Sequence, residues 1–161
     1  MRYRILHQFG CKYGADIIDF DATGQFIKEA KRCNPSVKFN TGEMEELPFI
    51  DNTFTIVTGF NSFQYAANVR NAFTEAKRVL KDKGKLVAMI WGNKEDYEAF
   101  SYLKAVGSLL PSPPPGAPGP FALTENHLLE TILNEIGLEV LNSADVESIE
   151  NAGIKKLTEQ F

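Results

Sequence analysis

Short apolar runs alternate along this chain with segments whose apolar residues repeat at helical spacing, and that alternation leaves few folds open. Phe54–Phe60 (FTIVTGF) is a nearly continuous apolar run, the pattern of a strand buried on both faces of a parallel sheet. Leu86–Trp91 (LVAMIW) is the most strand-like segment, and shorter runs lie at Ala15–Phe20, Val37–Asn40 and Leu138–Leu141. Between them, Gln25–Lys31 puts Phe26, Ile27 and Ala30 on one helical face with Thr23 as N-cap. Asn34-Pro35 stops that helix, because the residue before a proline is driven out of the helical region. Val69–Lys81 carries a stripe of Ala72, Phe73, Ala76, Val79 and Leu80, with Arg70, Glu75, Lys77 and Arg78 off it. Gly84 ends the turn that follows. Glu95–Leu110 is a third helix, bearing Ala99, Phe100, Leu103, Val106 and Leu110. Leu128, Leu129, Ile132, Leu133 and Ile136 make a fourth, closed by Gly137 at C′. Such alternation reads as βαβ crossovers, so the expectation is an α/β chain with a mainly parallel sheet.

A chain of 161 residues is one domain long. The expected organisation is a single domain over 1–161, with Pro111–Pro120 separating the core from a C-terminal helix–strand segment. That loop holds six of the eight prolines and reads either as an extended lid over a site or as a rigid surface connector. Seventeen Lys and Arg against 21 Asp and Glu give a net charge of −4, which disfavours a sequence-blind grip on nucleic acid or on an anionic membrane. No apolar run approaches the roughly 20 residues of a membrane span, and MRYRILHQFG is not a secretory signal. Two cysteines make neither a disulfide framework nor a metal cluster. The class expected is cytoplasmic and globular, with a small-molecule partner and no metal.

In an open parallel sheet, ligands collect at the carboxyl ends of the strands. Asp21 follows the first strand, with Ala22 beside it, and an acid there can accept two hydrogen bonds from a ribose diol; it serves equally as a turn or helix-start charge. After the next strand, Gly42 lets a ligand ring approach the backbone, Glu43 is an acceptor for an exocyclic amine, and Met44 offers its N–H and an apolar face. Leu47-Pro48-Phe49 turns the chain back to the core, while Glu45 and Glu46 read as solvated loop charges.

GADIIDFDAT, GEMEELPFIDNTFTIVTGFNSFQY and AFTEAKRVLKDKGKLVAMIWG resemble three successive stretches of class I S-adenosylmethionine-dependent methyltransferases of the small-molecule, type 11 kind. The resemblance runs over about residues 14–92 and continues more softly through PFALTENHLLETILNEIGLEV. It implies a Rossmann-like three-layer sandwich and methyl transfer from S-adenosyl-L-methionine to a small-molecule acceptor. Asp21 then matches the acid that holds the cofactor's ribose hydroxyls. Glu43 stands where the family usually has Asp beside the adenine amine, and Met44 matches the residue packed on that ring. Phe60 and Asn61 match the stretch bordering the methionine half of the cofactor and the acceptor. No catalytic base is assigned.

The sequence also departs from the family. A strand and glycine-rich loop of the GxGxG kind, which would lie against the methionine end, have no counterpart, so the chain reads as incomplete at the N-terminus. Thr55 replaces an acid, Asp82-Lys83-Gly84-Lys85 replaces a Pro-Gly-Gly turn, and Phe161 falls before the family's last hairpin strand. With half of the cofactor site lacking, the expectation is weak or no cofactor binding, and the alternative is a non-catalytic interaction module or truncated isoform. The missing strand is central in the family's sheet, so two strand edges lose their partner. Either they close up, or residues 2–9 (RYRILHQF) fill the gap as a strand, or a second chain does, as a homodimer or by pairing with a full-length relative. Residues 2–9 read equally as a helix using Ile5, Leu6 and Phe9, which is the preferred reading.

His7 and His127 lack a third ligand at metal spacing, and Cys11 and Cys33 read as free thiols. Trp91, Phe121 and Tyr65 read either as acceptor-pocket residues or as core aromatics. A nicotinamide-dependent oxidoreductase is the other class weighed for Asp21; no tyrosine among Tyr13, Tyr65, Tyr97 and Tyr102 has lysine four residues on, which argues against it.

Overall fold

The computed structural model describes residues 10, 12–35, 37–97, 100–111, 117–124 and 127–146. Strand β1 (Ile18–Asp21) leads into helix α1 (Gly24–Cys33) and strand β2 (Lys38–Thr41). These strands pair in parallel, Ile18 opposite Lys38 through Asp21 opposite Thr41, so the first βαβ crossover forms as expected. Helix α1 starts at Thr23 and stops at Asn34, and buries Ile27 and Ala30 against Phe39 of β2. Phe26, expected on that buried face, is exposed instead. It precedes Ile27 by one residue, about 100° round the helix, and the short β1–β2 ladder is too narrow to cover both.

Strand β3 (Phe54–Phe60), helix α2 (Val69–Val79) and strand β4 (Leu80–Met89) make the second crossover, again parallel, with Ile56 opposite Lys85 and Phe60 opposite Met89. Helix α2 gives way at Leu80 directly to the strand. The ladder then breaks between the Phe54–Leu80 and Ile56–Lys85 pairs, where Lys83 takes a left-handed φ of 59°. Gly84 passes so close to the chain that a Cβ would lie 2.8 Å from the carbonyl oxygen of Lys81 and 3.2 Å from that of Thr55. The Asp82–Lys85 turn is thus an insertion within the strand, and Gly84 is fixed by backbone approach.

The main core lies on one side of this pair: Phe63, Ala66, Ala72, Phe73 and Ala76 join Leu123 and Ile132, the latter on helix α4 (Leu128–Glu135). Phe63 and Phe73 stack at 4.1 Å between ring centroids. The expectation that Phe54–Phe60 is buried on both faces fails, since Thr55, Ile56 and Thr58 are exposed, as are Val87 and Met89 of β4. Helices cover only the Val57 and Gly59 side among the described residues.

Two further readings change. The helix expected over Glu95–Leu110 is a short 3₁₀ turn at Lys94–Asp96, an extended Tyr97, and a helix α3 confined to Phe100–Gly107. Tyr97 leaves helical geometry as its ring packs edge-on to Trp91 at 5.0 Å. Leu138–Leu141 is not a strand; a strand exists only by pairing, and no described strand pairs with it. Gly137 does close α4 with φ of 74°, as expected of a C′ glycine.

The two strand pairs are separate two-stranded sheets: β1 and β3 do not pair, so the expected gap has not closed up. Residues 2–9, with His7, and Cys11 lie outside the described residues. Phe49 bridges the two sheets, its ring 6.0 Å from Phe20 of β1 and 5.0 Å from Phe54 of β3. Among the described residues no helix is long and apolar enough to cross a membrane.

Candidate active site

The parallel register brings two of the expected site segments together. Asp21 ends β1 opposite Thr41, and the Gly42 N–H donates to the Asp21 carbonyl oxygen at 3.2 Å. Gly42, Glu43 and Met44 therefore leave the sheet beside Asp21 and Ala22, and form one lip with them. Asp21 Oδ1 accepts the N–H of Thr23 at 2.7 Å, which fixes the carboxylate's direction at the turn into α1. Glu43 is exposed and Met44 half-buried, its side chain against the cluster of Phe63 and Phe73. The space beside Gly42, expected to admit a ligand ring, is held by a ring of the protein: a Cβ there would lie 2.8 Å from Phe20 Cζ.

Phe60 and Asn61 stand at the carboxyl end of β3. Asn61 takes a left-handed φ of 51° and donates its N–H to the Met89 carbonyl at 2.7 Å, which ties this turn to the end of β4. Residue 59 passes close under this turn: a Cβ on Gly59 would lie 2.7 Å from Phe63 Cδ2 and 2.9 Å from Ser62 Oγ. Gln64 is fully buried next to Asn61, with Nε2 3.5 Å from Asn61 Oδ1.

The loop carrying Glu43 and Met44 is fixed from α2. Arg78 donates from Nη1 to the Phe49 carbonyl and Asp51 Oδ1, both at 2.7 Å, and from Nη2 to the Leu47 carbonyl at 2.9 Å. Its guanidinium also grips both oxygens of Glu75, each at 2.7 Å, and Glu75 Oε2 accepts the Leu47 N–H at 2.8 Å. The Arg78 bond, aided by the Leu47 N–H, holds the Glu75 carboxyl below its ordinary range, against a smaller opposing effect of burial. Glu45 is not the solvated charge expected: its Oε1 accepts the N–H groups of Ala67 at 2.7 Å and Asn68 at 3.2 Å, at the entry to α2. A carboxylate is favoured there by the helix dipole. Glu46 is exposed, as expected.

Trp91, Tyr97, Phe100 and Phe121 form an aromatic nest beyond the end of β4. Phe121 lies 6.5 Å from Trp91, 6.3 Å from Tyr97 and 5.9 Å from Phe100 between centroids. All four are half-buried, neither core nor bare surface. Tyr65 is exposed. His127 sits, exposed, at the start of α4 with φ of 54°, and Cys33 is an exposed thiol. Among the described residues no cluster of His, Cys, Asp or Glu could hold a metal ion.

The sequence profile of the methyltransferase domain family matches residues 4–88, more than half of the 161 residues. The chain belongs to the class I methyltransferase family. Demethylmenaquinone methyltransferase of Renibacterium salmoninarum is 35% identical over 74 residues, which are 46% of this chain and 31% of that protein. Among solved structures, the YcgJ protein of Bacillus subtilis is similar with a TM-score of 0.59 at 20% identity, covering 86% of this chain and 60% of that one. The SAM-dependent methyltransferase TM1293 of Thermotoga maritima gives 0.60 at 18%, covering 83% and 60%. The chain spans about a third of the length of the curated relatives it matches. Its fold is the Rossmann-like α/β fold, with parallel strand pairs.

Sequence reasoning missed Glu45, Glu75 and Arg78 as loop-fixing residues. Glu75 and Arg78 are three apart on the polar side of α2, which marks an ion pair. Their other partners, the backbone groups of Leu47 and Phe49 and the Asp51 carboxylate, lie 27 to 31 residues away, and no local pattern reveals those.

Proposed function

We propose that this chain binds the adenosyl part of S-adenosyl-L-methionine and takes part in methyl transfer to a small, uncharged, planar acceptor. The observation that carries the reading is the shared lip: Asp21 and Gly42-Glu43-Met44 leave adjacent parallel strands at their carboxyl ends, joined by the Gly42 N–H. The donor set suits a nucleoside, since an oriented carboxylate accepts from a ribose diol while an exposed carboxylate beside a half-buried thioether meets a base edge. In this reading Asp21, with Ala22, holds the ribose, Glu43 meets the adenine amine and Met44 packs on the ring. Gly42 admits Phe20, which backs that lip. Phe60 and Asn61 border the methionine end.

The cofactor supplies a methyl group already activated by the positive charge on sulfur. What the protein adds is alignment. Trp91, Tyr97 and Phe121 offer ring faces and edges to a planar acceptor, and a base is needed only where that acceptor loses a proton. The demethylmenaquinone methyltransferases among the relatives favour a quinone-type ring for that place. Isothermal titration of the 161-residue chain with S-adenosylhomocysteine tests the reading. Asp21→Ala is expected to weaken binding at least tenfold; equal heats for both forms would overturn it.

A further inference from the structure

Among the described residues, Gln64 alone is a polar residue fully withdrawn from water. It lies in the 3₁₀ turn Phe63–Tyr65, three residues beyond Asn61 at the carboxyl end of β3. The backbone of that turn is bonded without its side chain. The Gln64 carbonyl accepts the Gly119 N–H at 3.0 Å, and the N–H groups of Tyr65 and Ala66 donate to the Ser62 and Phe63 carbonyls at 2.9 and 3.1 Å. The side-chain amide is used at one end only. Nε2 reaches Asn61 Oδ1 at 3.5 Å, while Oε1 has no hydrogen-bond partner among the described residues. A buried amide oxygen left unpaired opposes folding, and an apolar side chain of the same shape avoids that cost. Stability therefore does not account for a glutamine here; the contact with Asn61 remains.

Asn61 is half-buried, and its backbone is set by the left-handed φ of 51° and by the bond to the Met89 carbonyl. With Oδ1 turned to Gln64, the Asn61 Nδ2 group is left to the other side of the planar amide, as a pair of uncharged donors. The methionine half of the cofactor, which this turn is proposed to border, ends in a carboxylate, and such donors suit it. The reversed amide would offer that carboxylate an oxygen and repel it.

We propose that Gln64 is a positioning residue, whose buried amide orients the Asn61 side chain as a hydrogen-bond donor to the carboxylate of the ligand's amino-acid half. The inference rests on the placement of the methionine end proposed above, and deepens it by naming the group met there and the residue that sets the direction of the Asn61 amide.

The experiment titrates the 161-residue chain calorimetrically with S-adenosylhomocysteine and with methylthioadenosine, which keeps the nucleoside and the sulfur but lacks the amino-acid end. Wild type should prefer S-adenosylhomocysteine about tenfold, the contribution of one hydrogen bond to a charged group. Gln64→Met, apolar and of similar length, should bring that ratio close to one. Asn61→Gly, which removes the amide and tolerates the left-handed backbone, should do the same. Thermal melts supply a second readout. Gln64→Met should melt within about 3 °C of wild type or above it, whereas a glutamine kept for stability would lower the melt further. A wild-type ratio near one, an unchanged ratio in Gln64→Met, or a melt beyond that margin overturns the proposal. In each of those cases, saturable binding of methylthioadenosine to wild type leaves the nucleoside reading standing. If wild type binds neither ligand, both readings fall.

Discussion

Replacing Glu75 by alanine tests whether the adenine-side loop is held from α2 as described. In the native chain the Glu75 carboxylate accepts the Leu47 N–H at 2.8 Å and both forks of Arg78 at 2.7 Å, and its side chain is 18% exposed. Alanine leaves the half-buried Leu47 N–H without its acceptor. A hydrogen bond to a charged group contributes about 1.5–3 kcal/mol, and water reaching the loop edge recovers part of that. Arg78 keeps its bonds to Leu47, Phe49 and Asp51, so the net loss is about 2–3 kcal/mol. For a chain of this size that lowers Tm by about 4–12 °C. Glu75→Gln retains one acceptor oxygen and should lose less. The pH dependence follows from the lowered carboxyl pKa: the folded state holds the proton less tightly than the unfolded one. The stabilisation is therefore full above the ordinary carboxylate value of 4.5 and fades as pH falls through the lower folded value. Thermal melts followed by circular dichroism at pH 7 and pH 3.5 give the comparison. The gap between the two proteins should be wider at pH 7 than at pH 3.5. A Glu75→Ala melt within 1 °C of wild type at pH 7 would show that the loop holds without the carboxylate.

Gly59→Ala should destabilise by about 1–3 kcal/mol, because its Cβ must displace the Phe63 ring or Ser62; an unchanged urea midpoint would refute the tight approach. Phe73→Ala removes a fully buried ring stacked on Phe63 and should cost about 3–5 kcal/mol; a loss below 1 kcal/mol in urea unfolding would mean that the core does not centre there.

The parts of the fold that local pattern controls were legible in the sequence. Helix α2 buries the stripe read from its spacing, the Phe54–Phe60 bounds match, and Gly137 closes α4 in left-handed geometry. What failed was decided by neighbours. Phe26 and Ile56 are apolar, yet whether a face is covered depends on elements that periodicity does not place. Leu138–Leu141 has strand composition, but pairing is a property of two segments. At the site, the adjacency of Asp21 and Gly42 followed from the crossover order. The filling of Gly42 by Phe20 and the capture of Ala67 and Asn68 by Glu45 depend on side-chain directions that sequence leaves open.

The division of the interior has a thermodynamic corollary. Among the described residues, Ile27, Ala30 and Phe39 make the small buried cluster beneath β1 and β2, whereas Phe73 and its neighbours form a larger one at the other strand pair. The margin carrying Asp21 is therefore the more easily frayed half, since local opening is least costly where little apolar surface is hidden. A nucleoside settling there would tighten it, and the affinity measured would fold in the free energy of that ordering along with the contacts themselves.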